Sequence, residues 1–446
     1  MVISLSTLSS LVLIGAARAK YKLEQVAVFW AGGHTRIGMD FEDSPEERSL
    51  RAEARSWLEA NAKPLDVESL SDLRTHRAHT EEQDLALLDE ARVWQRHKAE
   101  AGWAAPHWPI EHGGRGLSPL LAGVFAAEEQ KFDVSGNMFS VGVGMAGPTI
   151  IEWGTETQQD QFLAPILTAE HIWCQLFSEP GAGSDLAGLA TKAVLDGDEW
   201  VVNGQKVWTS AAHYSDYGVL LARTDADVPK HRGITCILVE MHSPGIEIRP
   251  LRQIDGAIHF NEVFLDDVRI PVANTLGPVG AGWGVAMTML AHERASIGGG
   301  GMYSFDQVLT LARTVSDTSD ALVRQRLVDL YTRFEMLRFL GYRVRTAAER
   351  GELPGPESSV LKLVVSALYE VGGDLLLALE GAAGMLNGTD APFGGKFQDL
   401  FMGQWAPRIG GGTDQIQRNI IGERVLGLPG EIRSDKTVPF RELPQA

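Results

Sequence analysis

Three short runs carry groups that can do chemistry. The first is Phe177-Ser178-Glu179-Pro180-Gly181-Ala182-Gly183-Ser184-Asp185. Its glycines let a backbone approach a ligand closely, and its N–H groups and two hydroxyls can hold an anion or a carbonyl. An ordinary surface loop has the same composition. A dinucleotide fingerprint is excluded, because Gly181-x-Gly183 would need a third glycine at Leu186 and a strand–turn–helix setting. The second run is Asn203-Gly204-Gln205-Lys206-Val207-Trp208-Thr209-Ser210. Trp208 can cover a flat ring while a nearby hydroxyl bonds a ring nitrogen. A tryptophan in a strand is more often a core residue. The third run is Gly410-Gly411-Gly412-Thr413-Asp414-Gln415-Ile416-Gln417-Arg418-Asn419. Thr413 or Asp414 can cap the helix that follows, and helix N-termini attract phosphates. Simple capping after a flexible loop accounts for the same residues.

The elements that must position these runs change period twice. From Pro45 to about Glu170 the pattern is helical, with Leu50, Ala54, Trp57 and Leu58 on one face and Leu85, Leu88 and Ala91 on another. Residues 108–116 interrupt it as a loop. From about Ile172 to Pro271 the pattern is that of strands. Asp196-Gly197-Asp198 reads as a turn, and Asn203-Gly204 as a hairpin signal before residues 205–210. This predicts a small antiparallel barrel or sandwich. From Gly284 helices return: residues 285–297, a stripe through Leu322, Leu327, Leu330, Phe334 and Leu337, an apolar run over 359–379, and a last helix over 415–424. The predicted class is α+β. The expected divisions are an extension over 1–38, an N-terminal α domain over 39–171, a middle β domain over 172–275, a C-terminal α domain over 276–430 and a tail over 431–446.

Bulk properties narrow the partners. A net charge of −18 argues against DNA, RNA or an anionic membrane face. Cys174 and Cys236 are the only cysteines, so neither a disulfide framework nor a cysteine-rich metal site is expected. His76 and His79 read as a solvated face rather than as metal ligands. Residues 4–19 form an apolar run ending in Ala17-x-Ala19, like a secretory segment but without a positive start and too short to span a membrane. The working protein is expected to begin near Met39, with no membrane span and a cytoplasmic location.

Together, in this order and spacing, the runs resemble the acyl-CoA dehydrogenase family. The matching pieces are residues 178–185, Asn203-Gly204-Gln205-Lys206-Val207-Trp208, residues 261–271 (Asn-Glu-Val-Phe-Leu-Asp-Asp-Val-Arg-Ile-Pro) and residues 412–427. The resemblance spans roughly Met39 to Pro429. It implies an N-terminal helical domain, a middle antiparallel β-barrel and a C-terminal helical bundle, with FAD held between the last two. It implies that Gln175, Phe177 and Ser178 lie along the flavin, with Gly183 and Ser184 near the flavin–substrate junction. Trp208 would cover the ring, Ser210 would reach N5, and Thr413 and Gln415 would meet the ADP half. It implies an acyl-CoA substrate, a base for the α-proton, N5 as acceptor of the β-hydride, an electron-transfer flavoprotein as oxidant, and a tetramer.

The sequence departs from the commonest family pattern where the base usually stands. Two residues before Thr413 is Gly411, which has no proton-accepting side chain. Isovaleryl- and long-chain-specific members take the base from an earlier helix, just before an arginine. Leu290-Ala291-His292-Glu293-Arg294 matches that arrangement and implies Glu293 as the base, with Arg294 orienting the site or substrate and the Gly411 N–H facing the thioester carbonyl. Helix glutamates more often pair with a nearby cation. Two cross-subunit FAD contacts are also altered. The nearest counterpart of Arg-x-x-Phe-Gly is Arg313-Thr314-Val315-Ser316-Asp317, and that of Gln-x-x-Gly-Gly is Glu380-Gly381-Ala382-Ala383-Gly384. A hetero-oligomer is therefore weighed beside a homo-oligomer. A non-catalytic partner subunit and a flavin oxidase or monooxygenase are the competing functions.

Overall fold

Ser44 opens the fold with a reciprocal cap. Its hydroxyl accepts from the Glu47 N–H at 3.2 Å, and the Glu47 carboxylate accepts from the Ser44 N–H at 2.7 Å. Pro45 then starts helix α1, Pro45–Asn61, which buries Leu50, Ala54 and Leu58 on the predicted face. The computed structural model describes residues 43–65, 81–134, 138–297, 303–349, 358–430, 435 and 437–444. The extension expected over 1–38, and His76 and His79, lie outside the described residues.

Four further N-terminal helices follow: α2 Glu81–Glu100, α3 Pro119–Glu129, α4 Gly147–Trp153 and α5 Glu156–Leu167. Glu128 on α3 ties α1 down. Its fully buried carboxylate meets Arg51 at 2.9 Å, Arg55 at 3.1 Å and Lys131 at 2.7 Å. Burial pushes this carboxyl up, but hydrogen bonds from Arg55, Lys131 and Arg51 outweigh it and hold the group at about 2. The predicted loop at 108–116 forms around Trp108, which is 1% exposed. Gly147 makes room for that indole: a Cβ there would lie 2.1 Å from Trp108 Cζ2.

The middle region is one eight-stranded sheet. Its strands are β1 Trp173–Leu176, β2 Lys192–Asp196, β3 Glu199–Ser210, β4 Tyr217–Arg223, β5 Ile234–Glu240, β6 Ile246–Leu251, β7 Phe260–Pro271 and β8 Thr275–Leu276. They run in the order β6-β7-β3-β2-β4-β5-β8, with β1 beside β4. Two expectations are corrected. Among the described residues the sheet does not close into a barrel, and it is not wholly antiparallel: β1 runs parallel to β4, and β2 meets β4 in parallel at Lys192 and Arg223. Alternation of side chains identifies a strand but not its partner or direction. Asn203-Gly204 is not a hairpin either. Both residues lie inside β3, at a shift of its register against β7. Glycine is required there because a Cβ would sit 2.7 Å from the Thr191 Cα.

The C-terminal helices are α6 Gly282–Ile297, α7 Phe305–Val315, α8 Ala321–Glu349, α9 Ser358–Glu380, α10 Lys396–Gly403, α11 Ala406–Ile409 and α12 Asp414–Ile420. Helices α6 to α10 divide between two cores. Val285, Ala286 and Met289 of α6 are buried with Trp108, Phe162, Phe177 and Leu238, in a core shared with the N-terminal helices and the sheet. The later helices build their own core around Val308, Leu311, Leu330, Leu376 and Phe397. Among the described residues, no helix is long and apolar enough to cross a membrane.

Two outcomes are expected. Trp108→Ala should cost about 3–5 kcal/mol in chemical denaturation, as a large aromatic lost from a tight site. Glu128 contributes stability fully present above its ordinary value of 4.5 and lost as the pH falls towards about 2. Glu128→Gln should therefore flatten the loss of stability between pH 4.5 and 2, measured by thermal melts across that range.

Candidate active site

The loop after β1 is held by charges, not by its glycines. Lys206 of β3 is fully buried and donates to the Phe177 carbonyl at 3.1 Å and to Glu179 at 2.7 Å. The Glu179 carboxylate also accepts from the N–H groups of Ala190 at 2.6 Å and Thr191 at 2.9 Å. One ion pair thus gathers both ends of the loop onto one strand. Val207 adds a backbone hydrogen bond to the Ser178 carbonyl at 2.9 Å. Burial pushes the Lys206 ammonium down to about 8 against the opposing pull of Glu179. Burial also pushes the Glu179 carboxyl up, but Lys206 and the Ala190 N–H outweigh it and bring it below the ordinary value. Both partners are therefore charged at neutral pH.

Within this frame the loop presents its polar and small groups outward. Gly181, Gly183 and Ser184 are exposed, Ser178 is half-buried, and Phe177 is buried beneath. Gln175 is half-buried on β1, opposite Val219 of β4. Among the described residues, and apart from its two chain neighbours, no heavy atom lies within 4 Å of a Cβ built on Gly183, so glycine there leaves space for something else.

Trp208 beside the loop is not a core residue. It is 61% exposed, its backbone has φ +60°, and it lies where β3 slips register against β7 between Lys206 and Thr209. Ala211 also has a positive φ, +62°, so two left-handed residues bracket Thr209 and Ser210. Each costs about 1–2 kcal/mol for an L residue, and such strain collects at functional sites. The Phe260 ring meets the Trp208 indole edge-on, with centroids 5.9 Å apart. Half-buried Ser210 closes the strand.

Glu293 sits on α6 four residues after Met289 and eight after Val285, so it continues the stripe that faces the shared core. Trp153 of α4 donates to Thr288 at 3.0 Å, and Thr288 donates to Glu152 at 3.1 Å, which fixes the helix against the N-terminal domain. Burial lowers the affinity of neighbouring His292 for a proton, against a smaller pull from Glu152. The side chain of Arg294 lies outside the described residues.

A second group stands on the C-terminal bundle. Thr413 caps α12, accepting from the Ile416 N–H at 3.2 Å. Asp414, the other candidate for the cap, is instead buried and taken by Lys362 and Arg408, each at 3.2 Å. Gln417 donates to the Gly411 carbonyl at 3.0 Å, and Gly411 has φ +62°. Gln415 is exposed, and so is Arg313 on the last turn of α7. The structure therefore brings residues 175–184 and 208–210 together, holds 411–415 as a separate set, and leaves Arg313 on an outer face. Sequence reasoning missed Lys206 and Glu179 as the positioning pair. The local sequence carried little signal, because Lys206 stands among Asn203, Gln205 and Thr209 as well as Val207 and Trp208.

Models of the three acyl-CoA dehydrogenase domains match this chain: the N-terminal domain over 44–170, the middle domain over 174–268 and the C-terminal domain over 280–426. The chain belongs to the acyl-CoA dehydrogenase family. It is 40% identical to "Acyl-CoA dehydrogenase IpdE1" of Mycobacterium tuberculosis, over 86% of this chain and 98% of that one. Among solved structures, "Tcur3481-Tcur3483 steroid ACAD" is similar at 28% identity and a TM-score of 0.74, covering 88% of this chain and all of that one. The "ChsE4-ChsE5 complex from Mycobacterium tuberculosis" is similar at 30% identity and a TM-score of 0.70, over 88% of this chain and all of that one. As an acyl-CoA dehydrogenase the protein is an oxidoreductase acting on a CH–CH bond, and the members of its family are flavoproteins.

The exposure of Trp208 has a direct consequence. Trp208→Ala should change stability by no more than about 0.5 kcal/mol, unlike a buried tryptophan. Equilibrium unfolding of the apoprotein checks this.

Proposed function

We propose that this acyl-CoA dehydrogenase uses FAD to remove the α- and β-hydrogens of a bulky acyl-CoA thioester, with Glu293 as the base. The observation that carries the reading is Trp208. An aromatic face held outward on a strained backbone, beside a pinned loop of hydroxyls and glycines, fits a flat ring with a polar edge. A bound FAD would supply the two-electron acceptor for the β-hydride, with an electron-transfer flavoprotein as the onward oxidant.

The chain's own groups have separate tasks in this proposal. Gln175, Phe177 and Ser178 line the flavin, Trp208 covers it, and Ser210 supplies a hydroxyl to its edge. Gly183 and Ser184 meet both flavin and thioester. Thr413 and Gln415 meet the ADP half. Glu293 takes the α-proton through its carboxylate. It stands on a helix fixed by Thr288 and Trp153, which limits the search for a productive position. The Gly411 N–H donates to the thioester oxygen as negative charge develops there. Its turn is fixed by the hydrogen bond from Gln417 to the Gly411 carbonyl. Arg294 orients the acyl-CoA.

We also infer that a second kind of chain completes the ADP side. Arg313 lacks a following Phe-Gly, and Glu380 replaces the glutamine of the family pattern, with burial pushing its carboxyl up. The two similar solved structures carry two protein names each, one of them with a steroid label. A steroid-sized acyl group and a two-chain assembly follow for this protein as one proposal. Purification of the chain alone tests it: a homo-oligomer with one FAD per chain overturns it.

Glu293→Gln removes the base and keeps the side-chain shape. Turnover and exchange of the substrate α-proton with deuterated water should both fall by about 10²–10⁴. The flavin absorbance of the purified variant should be unchanged. Undiminished α-exchange would assign the base elsewhere.

A further inference from the structure

The last described residues fold back onto the middle domain. The Phe440 N–H donates to the Val228 carbonyl and the Arg441 N–H to the Ala226 carbonyl, both at 3.0 Å, and Pro439 pairs with Pro229. Arg441 meets Asp227 at 2.7 Å. These contacts bring the Phe440 ring over Arg223, with the guanidinium carbon 3.7 Å from the ring centroid. Arg223 is buried at the end of β4, and the in-plane N–H groups of its guanidinium hold the far end of the candidate flavin loop. It donates to the carbonyls of Ala187 at 2.7 Å and Leu189 at 3.1 Å. A second link runs in parallel. Buried Lys230 bridges Asp185 of the loop, at 2.7 Å, and Asp435 of the tail, at 2.5 Å.

We propose that residues 437–444 are a positioning strap for the loop of residues 183–189, acting through Phe440 on Arg223 and assisted by the Asp435–Lys230–Asp185 bridge. The physical argument is one of confinement. A buried guanidinium needs an acceptor or an aromatic face on every side that water has left. Phe440 supplies that face, so Arg223 keeps the orientation in which it grips Ala187 and Leu189. Removing the ring opens the site to water, lets the guanidinium turn away, and frees the loop. The consequence for FAD rests on the reading of this loop as the flavin face; the strap itself does not.

Hydrogen–deuterium exchange of the full chain tests the strap without reference to catalysis. Phe440→Ala should speed exchange in peptides covering 183–191 as well as in 224–233, and weaken FAD binding about tenfold, the order expected for one desolvated cation–π contact. Phe440→Tyr, which keeps the aromatic face, should restore both. Faster exchange in 224–233 with unchanged exchange in 183–191 would overturn the strap. Faster exchange in 183–191 with unchanged FAD affinity would support the strap and remove the flavin reading of the loop. If Phe440→Ala does not give folded protein, Asp435→Asn cuts the parallel link, and unchanged exchange in 183–191 would again count against the proposal.

Discussion

The candidate site depends on one buried ion pair. Lys206 and Glu179 are 27 positions apart, yet their contact sets where the β1 loop lies against β3. A buried pair is a poor source of net stability, because desolvation of two ions offsets most of their attraction. It is a good source of geometry. Glu179 has its second oxygen on Ala190, and Lys206 has a further proton on the Phe177 carbonyl. Each additional partner satisfies a group that burial would otherwise leave costly, and each removes a direction in which the loop can move. The loop can then leave Gly181, Gly183 and Ser184 outward without being loose.

The second constraint is the placement of α6. By chain order it belongs to the C-terminal domain, yet its buried face joins the core of the sheet and the N-terminal helices. The base proposed on this helix is thus referenced to the same packed body as the loop, whose Phe177 and Ala182 lie in that core. The rest of the bundle has its own core, and the group at 411–415 is tied to α9 of that bundle through the ion pair of Asp414 with Lys362. An acid–base reaction on a thioester needs its base and its carbonyl donor in register. In this chain the base's helix is packed into one core, and the donor's turn is tied by an ion pair to a different part of the fold.

Much of the architecture was legible in the sequence. The helix–strand–helix order follows from changes of period, and Leu50, Ala54 and Leu58 are buried where that period puts them. The failures have specific causes. Asn203-Gly204 is a strong local turn signal, but the glycine answers a distant neighbour, Thr191, and the strand runs through it. The open, mixed sheet was invisible because alternation carries no information about partners. Residue type alone left Trp208 between core and ring cover; the register slip that turns it outward is a property of the β3–β7 pairing. Lys206 and Arg223 become interior residues only once the fold brings carbonyls and carboxylates to them. The segment after residue 430 read as a tail, because nothing local shows that Phe440 meets a buried arginine more than two hundred positions earlier.

These constraints describe a pinned loop with Trp208 turned outward beside it, the proposed flavin face, and a helix carrying the proposed base packed into the same core as that loop. The direct measurement is anaerobic titration of the flavin-loaded protein with a panel of acyl-CoA thioesters, followed by loss of flavin absorbance. Bleaching by thioesters with hydrogens at both the α and β carbons, and none by analogues lacking the β-hydrogens, is the result expected. A bound flavin that dithionite reduces but no thioester bleaches, with or without the partner chain, would contradict the account.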